Sequence, residues 1–284
     1  MSLWPAKIIL KLALSWIPFR HTRLRTFGMF KHGEMDNVHY AHKIFKLHAD
    51  RAFPSGLPDD FVALELGPGD SLLSGLIAKS YGASRVYLCD AGNYASKDVE
   101  LYKEAAKVLR ADYGLAPPDI QNIKTIDEYY KICGIEYVSN GLQGLKDVPD
   151  NSIDLIWSHS VVEHIRKKEF EDTMLQLSRI IKPEGLISHN VDLQDHLERK
   201  LNNLRFPDSF WENDFVANAG FYTNRLGYDG ALELINKAGQ VVIESEKGFW
   251  EDLPTPRNKM WEPFQEIPDD VLRVRTYSLL LKAA

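Results

Sequence analysis

Cysteine is scarce: the chain of 284 residues has two, Cys89 and Cys133. Two thiols so far apart match no metal-ligand spacing and build no disulfide framework. Each falls in a stretch expected to be buried, so both read as core thiols of a protein kept in a reducing, cytoplasmic setting. Long apolar runs are also missing. The most apolar start, Trp4 to Trp16, is broken by Lys7 and Lys11. It is too short to cross a membrane, and without a small-residue cleavage site it does not read as a signal peptide. An excess of positive charge is absent too. The net charge is −6, which offers no general case for a nucleic-acid partner. Internal repeats and low-complexity tracts are lacking. What charge there is lies unevenly. Residues 1–50 hold eight Lys/Arg against three Asp/Glu, a balance of +5, which leaves −11 on the remainder.

From residue 61 the chain alternates strand-like and helix-like stretches, the pattern of an α/β, doubly wound sheet. The expected strands are Phe61–Leu66, Arg85–Asp90, Ile135–Ser139, Ile153–Ser158, Gly185–Val191, Gln240–Glu246 and Val271–Leu281. The expected helices include Leu72–Tyr81, Asp98–Tyr113, Thr125–Ile132, Lys168–Ile181 and Tyr228–Ala238. In the fourth, Phe170, Met174, Leu177 and Ile181 share one face at helical spacing, and Lys182-Pro183-Glu184-Gly185 stops it. Two stretches break the rhythm. Residues 192–227 are polar and aromatic, and residues 250–268 form a loop rich in Pro and Trp. A long connection inside a compact domain is usually functional.

The most informative stretch is Val62-Ala63-Leu64-Glu65-Leu66-Gly67-Pro68-Gly69-Asp70-Ser71. It reads as a strand and a glycine turn that opens into a helix. Such a turn exposes backbone N–H groups beside a helix N-terminus, where a ligand can sit. Asp90 closes the next strand, 21 residues after Gly69. An acid there is placed to accept hydrogen bonds from ribose hydroxyls. The dinucleotide fingerprint asks for a third glycine where Leu72 stands.

The pattern Glu65-x-Gly67-x-Gly69 with Asp90 resembles motif I and its successor in class I S-adenosylmethionine-dependent methyltransferases. Asn151 to Ile165 resembles that superfamily's fourth strand and the loop after it. Arg179-Ile-Ile-Lys182-Pro-Glu-Gly185 resembles a further family segment, with Glu184 replacing a glycine. Over residues 60–190 the resemblance implies a mostly parallel, seven-stranded Rossmann-like sheet and S-adenosyl-L-methionine as cofactor. It counts Glu65 among the cofactor-binding residues and places Gly67 and Gly69 at the methionine part, Asp90 on the ribose, and Ala91 on the adenine. Asn140, Gly141 and Leu142 would cover the adenine edge, and Ser158 and His159 would line the methionine side. Residues 187–227 are similar to a bacterial subgroup associated with cell-surface polysaccharide or glycolipid biosynthesis.

The expected organisation is an N-terminal helical extension, residues 1–55, and a catalytic domain, residues 56–284, with an acceptor-binding insertion at 192–227. The reaction expected is O-methylation of a small or carbohydrate-like acceptor. His196 follows the fifth strand and is the candidate base, oriented by Asp195 or Asp192; the plain alternative is that Asp195 caps the next turn and His196 packs. His164 reads as support for its loop. Trp211, Tyr222, Asn224 and Arg225 are the candidate acceptor contacts, with an internal ion pair the alternative for Arg225. A metal held by His189, Asp192 and His196 matches no recognised pattern, so none is expected. The basic, apolar segment 1–25 reads either as a lid or as a peripheral contact with an anionic inner-membrane surface. The rival functions are an NAD-dependent oxidoreductase on a similar sheet and a non-catalytic nucleoside-cofactor-binding protein.

Overall fold

The structure, a computed structural model, describes residues 4, 5, 8 and 34–284. Most of the proposed 1–55 extension, including nearly all of segment 1–25, lies outside the described residues. Its best described part is helix α1, Val38–Ala52, whose N-cap Asn37 accepts from the N–H groups of His39 and Tyr40. Ala41, Phe45, Ala49 and Ala52 recur on one face, and that face enters the main core beside Leu72, Leu76, Tyr102 and Trp157.

The strands are β1 (Val62–Leu66), β2 (Arg85–Cys89), β3 (Ile135–Val138), β4 (Ile153–His159), β5 (Ile181–Asp192), β6 (Gln240–Phe249) and β7 (Val274–Ala283). They form one sheet in the order β3-β2-β1-β4-β5-β7-β6. The first five pair in parallel. β7 enters antiparallel between β5 and β6. Parallel strands covered on both faces read as continuous apolar runs, as Ala63-Leu64 and Leu155-Ile156-Trp157 do. One core lies under Phe45, Leu72, Tyr102 and Tyr129. The other holds Ile156, Met174, Leu177, Ile187, Ile235 and Leu279.

The helices between the strands start on local signals. α2 covers Leu73–Ser80. In α3, Val99–Tyr113, Asp98 caps the first turn and Gly114 ends it with a positive φ. In α4, Ile126–Cys133, Thr125 and Glu128 form a reciprocal capping box. α5 spans Lys167–Ile180 and α6 spans Gly227–Lys237.

Several boundaries differ from expectation. The helix ends at Ile180, and β5 begins at once, with Ile181 opposite Ile153. The register then shifts, so that Leu155 faces Leu186. Pro183 lies inside the shifted stretch, where its missing N–H breaks no ladder bond. Lys182 is held there by Asp154, 2.7 Å away. At the far end, Asp269–Leu272 forms a short helical turn, so β7 starts later than the pattern of apolar residues suggests.

The strand order reverses between β1 and β4. In open α/β sheets, ligands bind beyond the carboxyl ends of the strands at such a point. The glycine turn, Asp90 and the turn after β4 all gather there.

Candidate cofactor cleft and acceptor edge

β1 delivers Gly67 and Gly69 to the sheet edge with φ of 76° and 71°. Only glycine adopts that conformation without strain. A Cβ at Gly67 would stand inside the Val161 side chain, so the turn and the segment after β4 are in contact. The Gly67 N–H donates to the Cys89 carbonyl at 2.7 Å. The Gly69 N–H donates to Asp90 Oδ2 at 3.1 Å, and the Ala91 N–H to Asp90 Oδ1 at 2.7 Å. The Asp90 carboxylate is therefore oriented by two backbone donors. The Gly141 N–H donates to the Asp90 carbonyl at 2.8 Å, which brings the β3 loop to Ala91. Asp90, Ala91, Asn140, Gly141 and Leu142 thus share one wall, and none of the five is fully buried. The stretch beginning at Met35 borders the same turn, because Ser71 Oγ–H donates to the Met35 carbonyl.

Three of the residues expected to contact the cofactor stand otherwise. Glu65 is 2% exposed and lies beneath the turn, with Ser74 Oγ–H donating to one oxygen and Trp157 Nε1–H to the other. Burial raises its carboxyl to about 7. It supports the glycine turn from below instead of facing a ligand. Ser158 is fully buried, its hydroxyl 2.7 Å from His189 Nδ1. His159, on the opposite face of β4, points to α1, with Nδ1 3.3 Å from His48 Nε2. His48 Nδ1 is in turn 2.8 Å from Ser188 Oγ. Arg51 donates to Ser188 and, at 2.6 Å, to Asn190. This chain of polar groups was not legible in sequence, since His48 and Arg51 come from a helix far upstream of β4 and β5. Desolvation lowers the pKa of both His48 and His159.

The two cysteines are buried, and burial pushes each thiol up to about 12. His189, weighed with Asp192 and His196 as a metal set, sits in the core, and burial lowers it to about 4. Among the described residues, no group of three or more His, Cys, Asp or Glu could hold a metal ion.

His196 lies past the end of β5 and is exposed. Its Nε2 is 3.2 Å from His164 Nε2, and the rings stack with centroids 4.8 Å apart. The Nδ1 of His164 is 2.7 Å from the Tyr222 carbonyl. A carbonyl only accepts, so His164 carries its proton on Nδ1 when neutral. Its Nε2 then accepts, and His196 donates from Nε2.

Asp195 does not orient His196. It is 1% exposed, and its carboxylate accepts from the N–H groups of Leu197, Glu198, Lys200 and Asn202. It caps the turn instead, and His164 takes the place assigned to it. Asp192 Oδ1 accepts from the Gln194 N–H at 3.0 Å.

The four proposed acceptor contacts are engaged internally. Trp211 is fully buried and donates to the Thr223 carbonyl at 2.8 Å. The Tyr222 hydroxyl donates to Glu212 at 2.8 Å. Asn224 donates to the carbonyls of Val162 and Ile165, holding the turn that carries Glu163 and His164. Arg225, with its side chain 1% exposed, is paired with Asp208 and donates to the Phe206 carbonyl at 2.7 Å. Its charge is already matched, so a phosphate anchor is not what it supplies. Asn224 and Arg225 do border a cavity of about 350 Å³ behind Glu163, which Trp211 and Tyr222 do not.

Residues 64–188 match the model of a methyltransferase domain family. The matched stretch runs from the middle of β1 into β5 and contains the whole cleft. The cofactor that goes with that domain family is S-adenosylmethionine. The residues fit it: a turn whose glycines leave room for backbone approach, an acid oriented at the end of β2, and an open wall at Ala91 and Gly141. No curated protein matches the chain. Among solved structures, a chain of the complex between the Haloferax volcanii Trm112 methyltransferase activator and the putative methyltransferase is 14% identical, with 88% of this chain and 93% of that chain covered and a TM-score of 0.46. Geranyl diphosphate C-methyltransferase from Streptomyces coelicolor A3(2) is 11% identical, with 86% and 77% covered and a TM-score of 0.46. A putative S-adenosylmethionine-dependent methyltransferase from Listeria monocytogenes is 12% identical, with 84% and 97% covered and a TM-score of 0.42. At such identities these overlaps say nothing of the acceptor.

Proposed function

We propose that the chain transfers a methyl group from S-adenosylmethionine to a hydroxyl oxygen of a small, carbohydrate-like acceptor, with His196 as general base. The observation that carries this reading is the His164–His196 pair, with His196 exposed beyond β5 and His164, on the turn after β4, fixed in tautomer by the Tyr222 carbonyl. Bound S-adenosylmethionine supplies a methyl on a cationic sulfur with its own leaving group. The protein's tasks are to hold the acceptor oxygen in line, exclude water and take the hydroxyl proton. With Nε2–H of His196 directed at His164, the basic lone pair of the neutral ring is on Nδ1. Glu163 Oε1 stands 4.0 Å from His164 Nε2, so the turn that carries His164 also brings a carboxyl group beside the pair. Gly67, Gly69, Asp90, Ala91 and Gly141 are the proposed cofactor contacts, with Glu65 supporting them from beneath.

For the N-terminal segment the described residues favour the lid over the membrane contact. Ile8 is 6% exposed and packs with Leu197, Trp211, Val216 and Phe221. Trp4 meets Phe206 edge to face at 5.8 Å. Apolar groups turned inward onto the 192–227 segment are withdrawn from a lipid surface. Among the described residues no helix is long and apolar enough to cross a membrane.

The test is calorimetric binding of S-adenosylhomocysteine, followed by turnover of S-adenosylmethionine with a panel of hydroxylated acceptors. Removing a general base costs roughly a hundredfold to ten-thousandfold in rate. His196→Ala should show that loss with cofactor affinity intact. Full turnover by His196→Ala would remove the base assignment, and no cofactor binding would remove the function.

A further inference from the structure

The turn Val162–His164, directly after β4, places Glu163 between two parts of the molecule. Its backbone carbonyl accepts from the Asn224 N–H at 2.7 Å. Its Oε1 accepts from the Asp192 N–H at 3.2 Å. The side chain is 2% exposed, and its second oxygen, Oε2, is buried with no hydrogen-bond partner among the described residues. Leaving a buried polar atom unmatched costs free energy, so such an atom is a feature to be explained.

Glu163 is part of the wall of the cavity of about 350 Å³. This falls in the range of about 300–1,000 Å³ seen for small-molecule sites. The rest of the wall comes from residues between 193 and 204 and from 223–226, from the start of α6, from the short helices Glu262–Gln265 and Asp269–Leu272 with the turn between them, and from Val274 at the start of β7. It is mostly apolar, with Leu193, Leu204, Leu226, Phe264, Val271 and Leu272 among its members. Arg225 borders the cavity as well, but its ion pair with Asp208 already balances its charge. The site therefore calls for no anion. A fully charged ligand would also lose its hydration against the aliphatic wall.

We propose that this cavity binds a compact apolar molecule bearing one hydroxyl group, which hydrogen-bonds to Oε2 of Glu163 while its body fills the space between Leu226, Phe264 and Val271. The site is distinct from the cofactor cleft and goes beyond methyl transfer, although Glu163 forms a common wall with the His164–His196 pair. Burial raises the Glu163 carboxyl to about 8, so at neutral pH it keeps its proton. A carboxylic acid both donates and accepts, and a hydroxyl matches it in both senses.

The test uses 2-naphthol as a fluorescent probe and naphthalene as its partner without the hydroxyl, with the full chain and saturating S-adenosylhomocysteine present. Saturable binding of 2-naphthol is expected, roughly tenfold tighter than naphthalene, the effect of one good hydrogen bond. Glu163→Leu should bring the two affinities together. Val271→Phe should abolish binding of both by filling the cavity, with S-adenosylhomocysteine affinity and melting temperature as controls for the fold. Equal affinity of the two probes for the unmodified protein overturns the proposal and needs no variant. So does 2-naphthol binding that survives Val271→Phe, or that S-adenosylhomocysteine displaces. Because cofactor affinity is measured separately, failure here is distinguishable from failure of the methyl-transfer reading.

Discussion

Nε1 of Trp157 donates to Oε1 of Glu65 across 3.1 Å, and both side chains are buried. The bond ties β4 to the strand that carries the glycine turn, and Ser74 at the start of α2 holds the other oxygen. Glu65→Ala would leave two buried donors without an acceptor. Each such orphan costs about 1–3 kcal/mol, offset in part by removing a buried acid. A net loss of about 2–4 kcal/mol is expected in urea unfolding, with weaker cofactor binding because the turn loosens. Glu65→Gln keeps an acceptor and should lose less. Equal stability of all three proteins would show that the contact has no structural role.

Asp90→Ala should weaken S-adenosylhomocysteine binding by about 1.5–3 kcal/mol, the size of a hydrogen bond to a charged group. The carboxylate also orients the Gly69 and Ala91 N–H groups, so the loss should be accompanied by a smaller fall in melting temperature. Calorimetry that gives an unchanged dissociation constant takes Asp90 out of the site.

In the proposed mechanism His164 is a positioning residue, so its effect should depend on His196. His164→Ala should lower turnover by less than His196→Ala does. The double variant should be no slower than His196→Ala alone, since residues that act as a unit are not additive. Affinity for S-adenosylhomocysteine should stay level throughout. Additive losses in the cycle would mean that the two rings work separately.

Stability should fall as pH rises from about 6.5 to 8. Burial raises Glu163 to about 8 and Glu65 to about 7. In the unfolded chain both acids have lost their protons well below that, near about 4.3. The folded state therefore holds more protons in this window. The stability those acids contribute is complete below the unfolded value and lost as pH climbs through the folded one. Each such proton is worth about 1.4 kcal/mol per pH unit. His189, lowered to about 4, acts in the opposite sense. Its contribution is complete above about 6.5 and is lost as pH falls toward its folded value, which leaves the alkaline window to the acids. Thermal melts at pH 6.5 and 8 should show the decline, and Glu163→Gln should flatten it above pH 7. Parallel curves for the two proteins would contradict this.

The proposed lid reading of the N-terminal segment can be tested without lipid. Ile8→Asp puts a charge into the cluster of Trp211 and Phe221 and should impair turnover in a vesicle-free assay. If soluble activity is unchanged while binding to anionic vesicles is lost, the membrane reading is the correct one.

Much of the fold was written in local pattern. Strand and helix alternation, the caps at Asp98 and Thr125, and the glycine turn after β1 all depend on neighbours within a few residues. Asp90 belongs to the same class, because a strand end next to a glycine turn is a short-range arrangement that recurs with its chemistry. The acceptor edge was not legible in this way. Asp195 and His196 are adjacent in sequence, yet four backbone N–H groups engage the first, while a ring 32 positions upstream meets the second. Arg225 looked like an anion anchor until the chain folded Asp208 onto it. Glu163 followed an ordinary apolar stretch, and only the packing of α6 and two short helices around it made a cavity. A side chain's partners at long range are set by packing geometry, and residue type and spacing carry no record of which donor or acceptor arrives first.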